Sequence, residues 1–180
     1  MIPGVIRTRV GYAGGTTKNP TYRNIGDHSE TTQIDFDPTQ ISYKQILEKF
    51  WTTHNPCRAA YSTQYRSAIF YHNDEQKKIA LETLKEQEGA RGKIHTAIAP
   101  ATEFYLAEDY HQKYALRNSA ELIEEFERIY PDLNSFVNST AAARVNGYIH
   151  GEGTLAAFEA EAASLGLSKE GIKNLRRYIR

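Results

Sequence analysis

Three kinds of side chain in this 180-residue sequence could do chemistry: a carboxylate on an apolar strand face, a crowd of tyrosines, and a single thiol. Glu30 falls in step with Ile34 and Phe36, so the pleat of a strand over residues 30–37 aims its carboxylate at the apolar side. A carboxylate so placed must be paired, hydrogen-bonded or protonated, and burial would raise its pKa toward that of a general acid. The plainer reading is a glutamate at the start of a strand, standing in water. Of the 12 tyrosines, Tyr12, Tyr22, Tyr61 and Tyr65 sit in or beside loops. A phenol near a carboxylate can donate to a developing oxyanion. Taken singly, each is accounted for equally well as an amphipathic packing residue. Cys57 follows His54-Asn55-Pro56 and has Arg58 beside it, a cation that favours a thiolate, although an inert thiol fits the same position.

Other chemistries find less support. His28-x-Glu30 and Glu108-x-x-His111 are metal-ligand fragments without a third or fourth ligand at standard spacing, so no metal is expected. Gly11-Tyr12-Ala13-Gly14-Gly15 is neither GxGxxG nor a Walker loop, which leaves nucleotide binding without a motif. Lys+Arg and Asp+Glu balance at 22 each, so neither nucleic acid nor an acidic membrane surface is an expected partner. No run of about 18 apolar residues offers a membrane span. Met1-Ile2-Pro3-Gly4-Val5 has no basic or apolar signal region, and one cysteine excludes an internal disulfide. Those features make the cytoplasm the expected location.

The elements that must position these residues follow from periodicity. Ile6, Thr8, Val10 and Tyr12 alternate with Arg7 and Arg9, giving a half-buried strand over 5–12. A glycine-rich loop reaches Ser29, and the Glu30 strand ends at Pro38. Ser42 with Gln45 is a capping box opening a helix striped by Ile46, Leu47, Phe50 and Trp51. A third strand is expected over 66–71. Asn73 with Gln76 repeats the capping box, for a helix burying Ala80, Leu81 and Leu84. A further strand spans 95–99 and is allowed to continue through Phe104 and Tyr105. Helices are then expected over 121–130, 154–165 and 168–178, with Gly147, Gly151 and Gly153 as breakers. Strand–helix–strand–helix–strand is the skeleton of a two-layer α/β sandwich. Because the first strand starts almost at residue 1, a strand and a helix are expected to be missing in front of it. Residues 1–117 read as this core and residues 118–180 as a helical C-terminal extension.

Six strings carry a resemblance. Val10-Gly11-Tyr12-Ala13-Gly14-Gly15, Asn19-Pro20-Thr21-Tyr22 and His28-Ser29-Glu30 are similar to segments of the A-type methionine sulfoxide reductases. So are Phe50-Trp51-x-x-His54-Asn55-Pro56, Thr63-Gln64-Tyr65-Arg66-Ser67-Ala68-Ile69 and Ala107-Glu108-Asp109-Tyr110-His111-Gln112. They occur in the family's order from residue 2 to about residue 116. The resemblance implies a ferredoxin-like core in the two-layer α+β sandwich. It also implies reduction of methionine-(S)-sulfoxide, free or in oxidised proteins and peptides, which restores methionine. In that chemistry a thiolate attacks the sulfoxide sulfur while acid donors protonate the departing oxygen. A sulfenic acid is left for a second thiol to resolve.

Carried over by position, the family's acid carboxylate falls on Glu30, and the hydroxyls that hold the oxygen fall on Tyr22 and Tyr65. No bound cofactor is implied; turnover would draw on an external thiol, thioredoxin or dithiothreitol, and the complete protein would be a monomer. The departures matter too. The family's Gly-Cys-Phe-Trp nucleophile stretch would fall upstream of Met1, which makes the chain an N-terminally incomplete member and leaves Cys57 as its possible thiol. An aspartate usual before Tyr65 is replaced in Ala59-Ala60-Tyr61, and the tail lacks recycling cysteines. The alternative in another class is a non-catalytic protein binding a sulfoxide or a partner on the same fold.

Overall fold

In the computed structural model, which describes residues 2–179, the alternation at the front of the chain forms strand β1, Val5–Ala13. β1 lies between β2, Ser29–Phe36, and a short β5, Tyr105–Leu106. The β1–β5 pairing is antiparallel and sets Gly11 opposite Leu106 and Tyr12 opposite Tyr105. Gly11 has to be glycine, because a Cβ there would lie 2.3 Å from the Tyr105 carbonyl oxygen. A second sheet pairs β3, Ala68–Tyr71, in parallel with β4, Ala97–Pro100. Two parallel strands need a crossover, and α2, Asp74–Arg91, supplies it.

The chain divides into two compact units that interleave along the sequence. One consists of Gly11–Thr31 and Pro38–Ala107. Its apolar centre is Leu47, Trp51, Ile69, Ala80 and Ile94, contributed by α1 (Tyr43–Thr52), β3, α2 and the loop before β4. The Ser42 capping box forms as expected, with Ser42 accepting from the Gln45 amide and Gln45 reaching back to the Ser42 N–H. At α2 only half of the box exists. Asn73 accepts from the Gln76 amide, but the Gln76 side chain takes the His72 N–H instead. Leu81, expected in the core, is 46% exposed, and Thr83 is buried in its place. At about 100° per residue, Ala80, Thr83 and Leu84 share a stripe that Leu81 leaves.

His54 anchors the end of α1 in the same unit. Its Nδ1 donates to the Phe50 carbonyl at 3.1 Å and its Nε2 accepts from Ser67 at 2.8 Å. Ser67 in turn meets the Thr96 hydroxyl at 2.8 Å. Burial lowers the His54 pKa.

The other unit consists of Met1–Val10, Thr32–Asp37 and Glu108–Arg180. After the short α3 (Tyr114–Arg117), helices α4 (Ala120–Ile129), α7 (Leu155–Glu161) and α8 (Lys169–Arg176) occupy the three expected stretches. Between α4 and α7 lie two helices the periodicity did not reveal, α5 (Leu133–Asn138) and α6 (Thr140–Ile149). Each begins at a polar cap, Asp132 accepting from the Ser135 amide and Ser139 from the Ala142 amide. Gly147 lies inside α6 and does not break it, because Ala142, Val145 and Tyr148 are fully buried around it. Gly151 and Gly153, with φ of 84° and 95°, are the residues that end the helix and turn the chain.

Two residues after the 3-10 turn at Asp109–His111 fasten the front of β1. Gln112, fully buried, uses its side-chain amide as a strand would, donating to the Val10 carbonyl at 2.8 Å and accepting the Val10 N–H at 3.1 Å. Lys113 adopts left-handed backbone, φ 53°, and its buried ammonium donates to the Thr8 carbonyl. On the same strand Arg9 forks onto Asp35, with Nη2 2.8 Å from Oδ2, and its Nε donates to Asn138 at 2.8 Å. The expected alternation of Arg7 and Arg9 thus serves cross-strand ion pairs with Asp35.

Burial, with help from the Arg9 charge, lowers the Lys113 pKa to about 8. The unfolded chain keeps its lysine protonated up to the ordinary 10.5, so folding releases a proton between these two values. Stability therefore rises with pH from about 8 to 10.5, by up to about 3 kcal/mol. Urea titrations at pH 8 and pH 10 should show that rise in the wild type and a markedly flatter response in Lys113→Met.

Candidate functional site

The loop between β1 and β2 is closed by side chains answering backbone. Asp27 accepts the amides and the hydroxyls of both Thr16 and Thr17, at 2.8 to 3.0 Å. Those four donors hold its carboxyl well below the usual carboxylate range. His28 is buried; its Nδ1 accepts the Gly15 N–H at 3.2 Å and its Nε2 donates to the Thr17 carbonyl at 2.7 Å. Gly15 lets this happen, because a Cβ there would come within 2.6 Å of Asp27 Oδ1. With both ring nitrogens spent on backbone, His28 is a loop fastener.

The next two residues tie this loop to the segment before β3. Ser29 donates to the Thr63 carbonyl at 2.9 Å, and the Glu30 N–H donates to the Gln64 carbonyl at 2.9 Å. Arg66 completes the join, with Nε on the Ser29 hydroxyl at 2.7 Å and Nη2 on the Gly14 carbonyl at 3.1 Å. Residues far apart in sequence are thereby pinned within one or two residues of the groups that could do chemistry.

Those groups meet. The Gln64 side-chain amide donates to Glu30 Oε1 at 2.7 Å and to the Tyr65 hydroxyl at 3.2 Å. The Tyr65 hydroxyl lies 3.2 Å from that of Tyr22, which a small bridge between Thr21 and Asn24 holds in its turn. The ring of Tyr61 packs on that of Tyr65, with centroids 5.4 Å apart and planes at 36°. Glu30, Tyr22 and Tyr65, named from sequence, are thus one hydrogen-bonded group. The bond to Tyr22, then desolvation and the Glu30 charge, raise the Tyr65 pKa, so its O–H stays protonated across the neutral range.

Glu30 departs from expectation in one respect: it is exposed, not buried. It stands second in β2, where Ile34 and Phe36 are themselves only partly buried, and its carboxylate turns to Gln64. The pleat set its side of the sheet, but that side is thinly covered here: Thr32 is exposed as well, while Ser29 on the opposite side is buried. Cys57 is not part of the group. Partly buried, it packs against the apolar centre of α1 and α2, and its thiol donates to the Arg91 carbonyl at 3.7 Å. Glu108 and His111 approach each other at 4.0 Å. Among the described residues no cluster of three or more His, Cys, Asp or Glu is arranged to hold a metal.

Sequence reasoning did not single out Gln64, which bridges Glu30 to Tyr65, nor the Asp27 and His28 fasteners. For Gln64 the available signal was its place beside Tyr65; a long neutral side chain in a loop gives no periodicity.

Comparison with known proteins places the same strings in a wider context. Residues 1–144 match the family model described as peptide methionine sulfoxide reductase. Residues 133–180 match that of the helical domain of selenoprotein methionine sulfoxide reductase A. A peptide methionine sulfoxide reductase of Drosophila melanogaster is 43% identical over 168 residues, covering 92% of this chain and 67% of the relative. Peptide methionine sulfoxide reductase A5 of Oryza sativa is 41% identical over 155 residues, covering 82% of this chain and 60% of the relative. The chain therefore spans about two thirds or less of these relatives' length. Among solved structures, methionine sulfoxide reductase A of Corynebacterium diphtheriae aligns with a TM-score of 0.55 at 34% identity. That alignment covers 64% of this chain and 65% of the other.

The hydroxyl pair has a direct spectroscopic consequence. In a tyrosine titration followed by NMR of ring-labelled protein, Tyr65 should ionise later than an ordinary phenol. Tyr22→Phe removes the largest cause of the shift and should bring the Tyr65 midpoint down; an unchanged midpoint would mean the two hydroxyls are not bonded in solution.

Proposed function

The chain belongs to the peptide methionine sulfoxide reductase family, an oxidoreductase family, and we propose that Glu30, Tyr22 and Tyr65 are the part of its active site that takes the sulfoxide oxygen. The observation that carries the assignment is the Gln64 amide, which bridges the Glu30 carboxylate and the Tyr65 hydroxyl. A sulfoxide oxygen is a strong acceptor and becomes more basic as a thiolate adds to sulfur. Two phenolic O–H groups can hold it, and Glu30 can hand on the proton that lets it leave. The step balances once a thiol is present: the protonated oxygen passes from the methionine sulfur to the thiol sulfur as the bond between the two sulfurs breaks, leaving the sulfide and a sulfenic acid. A second thiol then releases water and forms a disulfide.

The S epimer, in oxidised proteins and as the free amino acid, is the proposed substrate, and thioredoxin or another small dithiol the proposed reductant. The thiol is the component that the Glu30 group does not contain. Cys57 is the single cysteine in the 180 residues, and its contacts are with Asn55, Arg91 and the apolar centre. We assign it a packing role. We also divide the protein at about residue 117 into a reductase core and a helical extension, a reading supported by the separate helical-domain match over residues 133–180. A reducing compartment such as the cytoplasm suits the lone thiol. Family membership favours the reductase over a non-catalytic binder.

Turnover of a methionine-(S)-sulfoxide peptide with excess dithiothreitol tests the assignment. With dithiothreitol as the attacking thiol, Glu30→Gln should lower the rate by about 10²–10⁴-fold, while Cys57→Ser should leave peptide binding unchanged. Activity that survives Glu30→Gln and Tyr65→Phe together would overturn the proposal. Activity abolished by Cys57→Ser would make Cys57 the nucleophile and not a packing residue. If the wild-type chain binds the sulfoxide without turning it over, the oxygen-binding role is read from affinity, which Tyr65→Phe must weaken.

A further inference from the structure

Tyr61 is the most exposed large hydrophobic residue among those described, at 84%, against 43% for Tyr65 and 38% for Tyr22. An exposed aromatic alone would say little. This one is not loose. Thr63 and Gln64, two and three residues on, are fixed by Ser29 and by the Glu30 amide, and the Arg66 N–H donates to the Thr63 carbonyl at 3.3 Å. The ring itself rests against Tyr65 at 5.4 Å. The two planes meet at 36°, and Tyr61 keeps most of its own area in solvent beside Tyr65.

The separation matches a piece of substrate. A methionine sulfoxide whose oxygen sits on the Tyr22 and Tyr65 hydroxyls has its own main chain about three bonds from sulfur, roughly 4–5 Å away. Tyr61, with its ring centroid 5.4 Å from that of Tyr65, is the exposed aromatic beside the hydroxyl pair. Free methionine sulfoxide presents a charged amine and carboxylate at that distance; a ring face attracts the first and repels the second, and both stay hydrated. A peptide presents amide planes and a neighbouring side chain, which pack well on one.

We propose that Tyr61 is a specificity residue: its exposed ring receives the peptide segment next to the methionine sulfoxide, so that the site takes peptidyl sulfoxide in preference to the free amino acid. This rests on the Glu30–Tyr22–Tyr65 assignment, but it concerns a residue outside that group and a different part of the substrate. Tyr61 touches no reacting atom. It positions the substrate by its main chain and leaves the sulfoxide oxygen to the hydroxyls.

The test uses the whole 180-residue chain in NMR titrations with two ligands. One is a capped pentapeptide with methionine-(S)-sulfoxide at its centre, the other free L-methionine-(S)-sulfoxide. Tyr61→Ala should weaken the peptide by about three- to tenfold, the range of one aromatic contact, and change the free amino acid by less than twofold. Tyr61→Phe should restore peptide affinity, since the face and not the hydroxyl is at work. Equal losses for both ligands, or none for either, would overturn the proposal. Glu30→Gln and Tyr65→Phe serve as the separate control, because both should weaken the two ligands alike. If wild type binds neither ligand, the oxygen-site assignment fails first and the Tyr61 proposal fails with it. Because Tyr61 is exposed, Tyr61→Ala should melt within a few degrees of wild type, which separates a lost contact from a lost fold.

Discussion

The candidate site depends on one guanidinium. Arg66 donates to the Ser29 hydroxyl and to the Gly14 carbonyl, and Ser29 donates its own O–H to the Thr63 carbonyl. Three loops are held by these bonds: the glycine turn after β1, the first residues of β2, and the segment leading into β3. Charge-assisted donors are stronger than neutral ones and fix direction as well as distance. A lysine could supply the charge but not the fork that reaches a hydroxyl and a carbonyl together. Glu30 follows Ser29, and Tyr65 precedes Arg66, so whatever holds Ser29 on Arg66 also sets the carboxylate beside the phenol. Gln64 then converts that closeness into a hydrogen-bonded group.

Much of this was legible in the sequence because strands and caps obey short-range rules. The alternation that made β1 and β2 is local, and Ser42 with Gln45 closes a box within one helical turn. Glu30, Tyr22 and Tyr65 could be named through resemblance, since their strings keep family order, and the structure brings them within hydrogen-bond reach through Gln64. Depth was not legible. The position of Glu30 in the pleat gave its side of the sheet, yet cover comes from what packs above a residue, which periodicity does not contain. The same limit explains Leu81, where three candidate apolar residues lay on α2 and tertiary contact selected Ala80 and Leu84 with Thr83 between them. Helices α5 and α6 escaped for another reason: six- and ten-residue helices with weak stripes owe their existence to the buried cluster around Phe136, Val137, Val145 and Tyr148.

Buried polar groups show where the fold spends its specificity. Gln112 and Lys113 sit inside without a carboxylate on the lysine, and both are turned to main-chain atoms of β1, at Val10 and Thr8. An unsatisfied carbonyl in that position would be costly, and so would an unsatisfied ammonium; each answers the other. His28 and Asp27 follow the same logic in the glycine loop, where the donors they meet are backbone amides that no strand or helix claims. Residue types that look like chemistry are here used for loop closure, and their spacing to Glu30 follows from architecture.

The hydroxyl pair is different, because its partners satisfy each other only weakly. Tyr22 and Tyr65 meet at 3.2 Å, long for two hydroxyls, and both rings remain more than a third exposed. A neutral bond of that kind contributes about 0.5–1.5 kcal/mol at most. A sulfoxide oxygen, which carries far more negative charge than a phenol oxygen, can accept from both hydroxyls at once. The Gln64 amide already donates to the Tyr65 oxygen and holds it beside Tyr22. On the proposed reading, the oxygen meets two hydroxyls that the fold already holds side by side, and fixed donors of that kind act most strongly as charge develops on the oxygen.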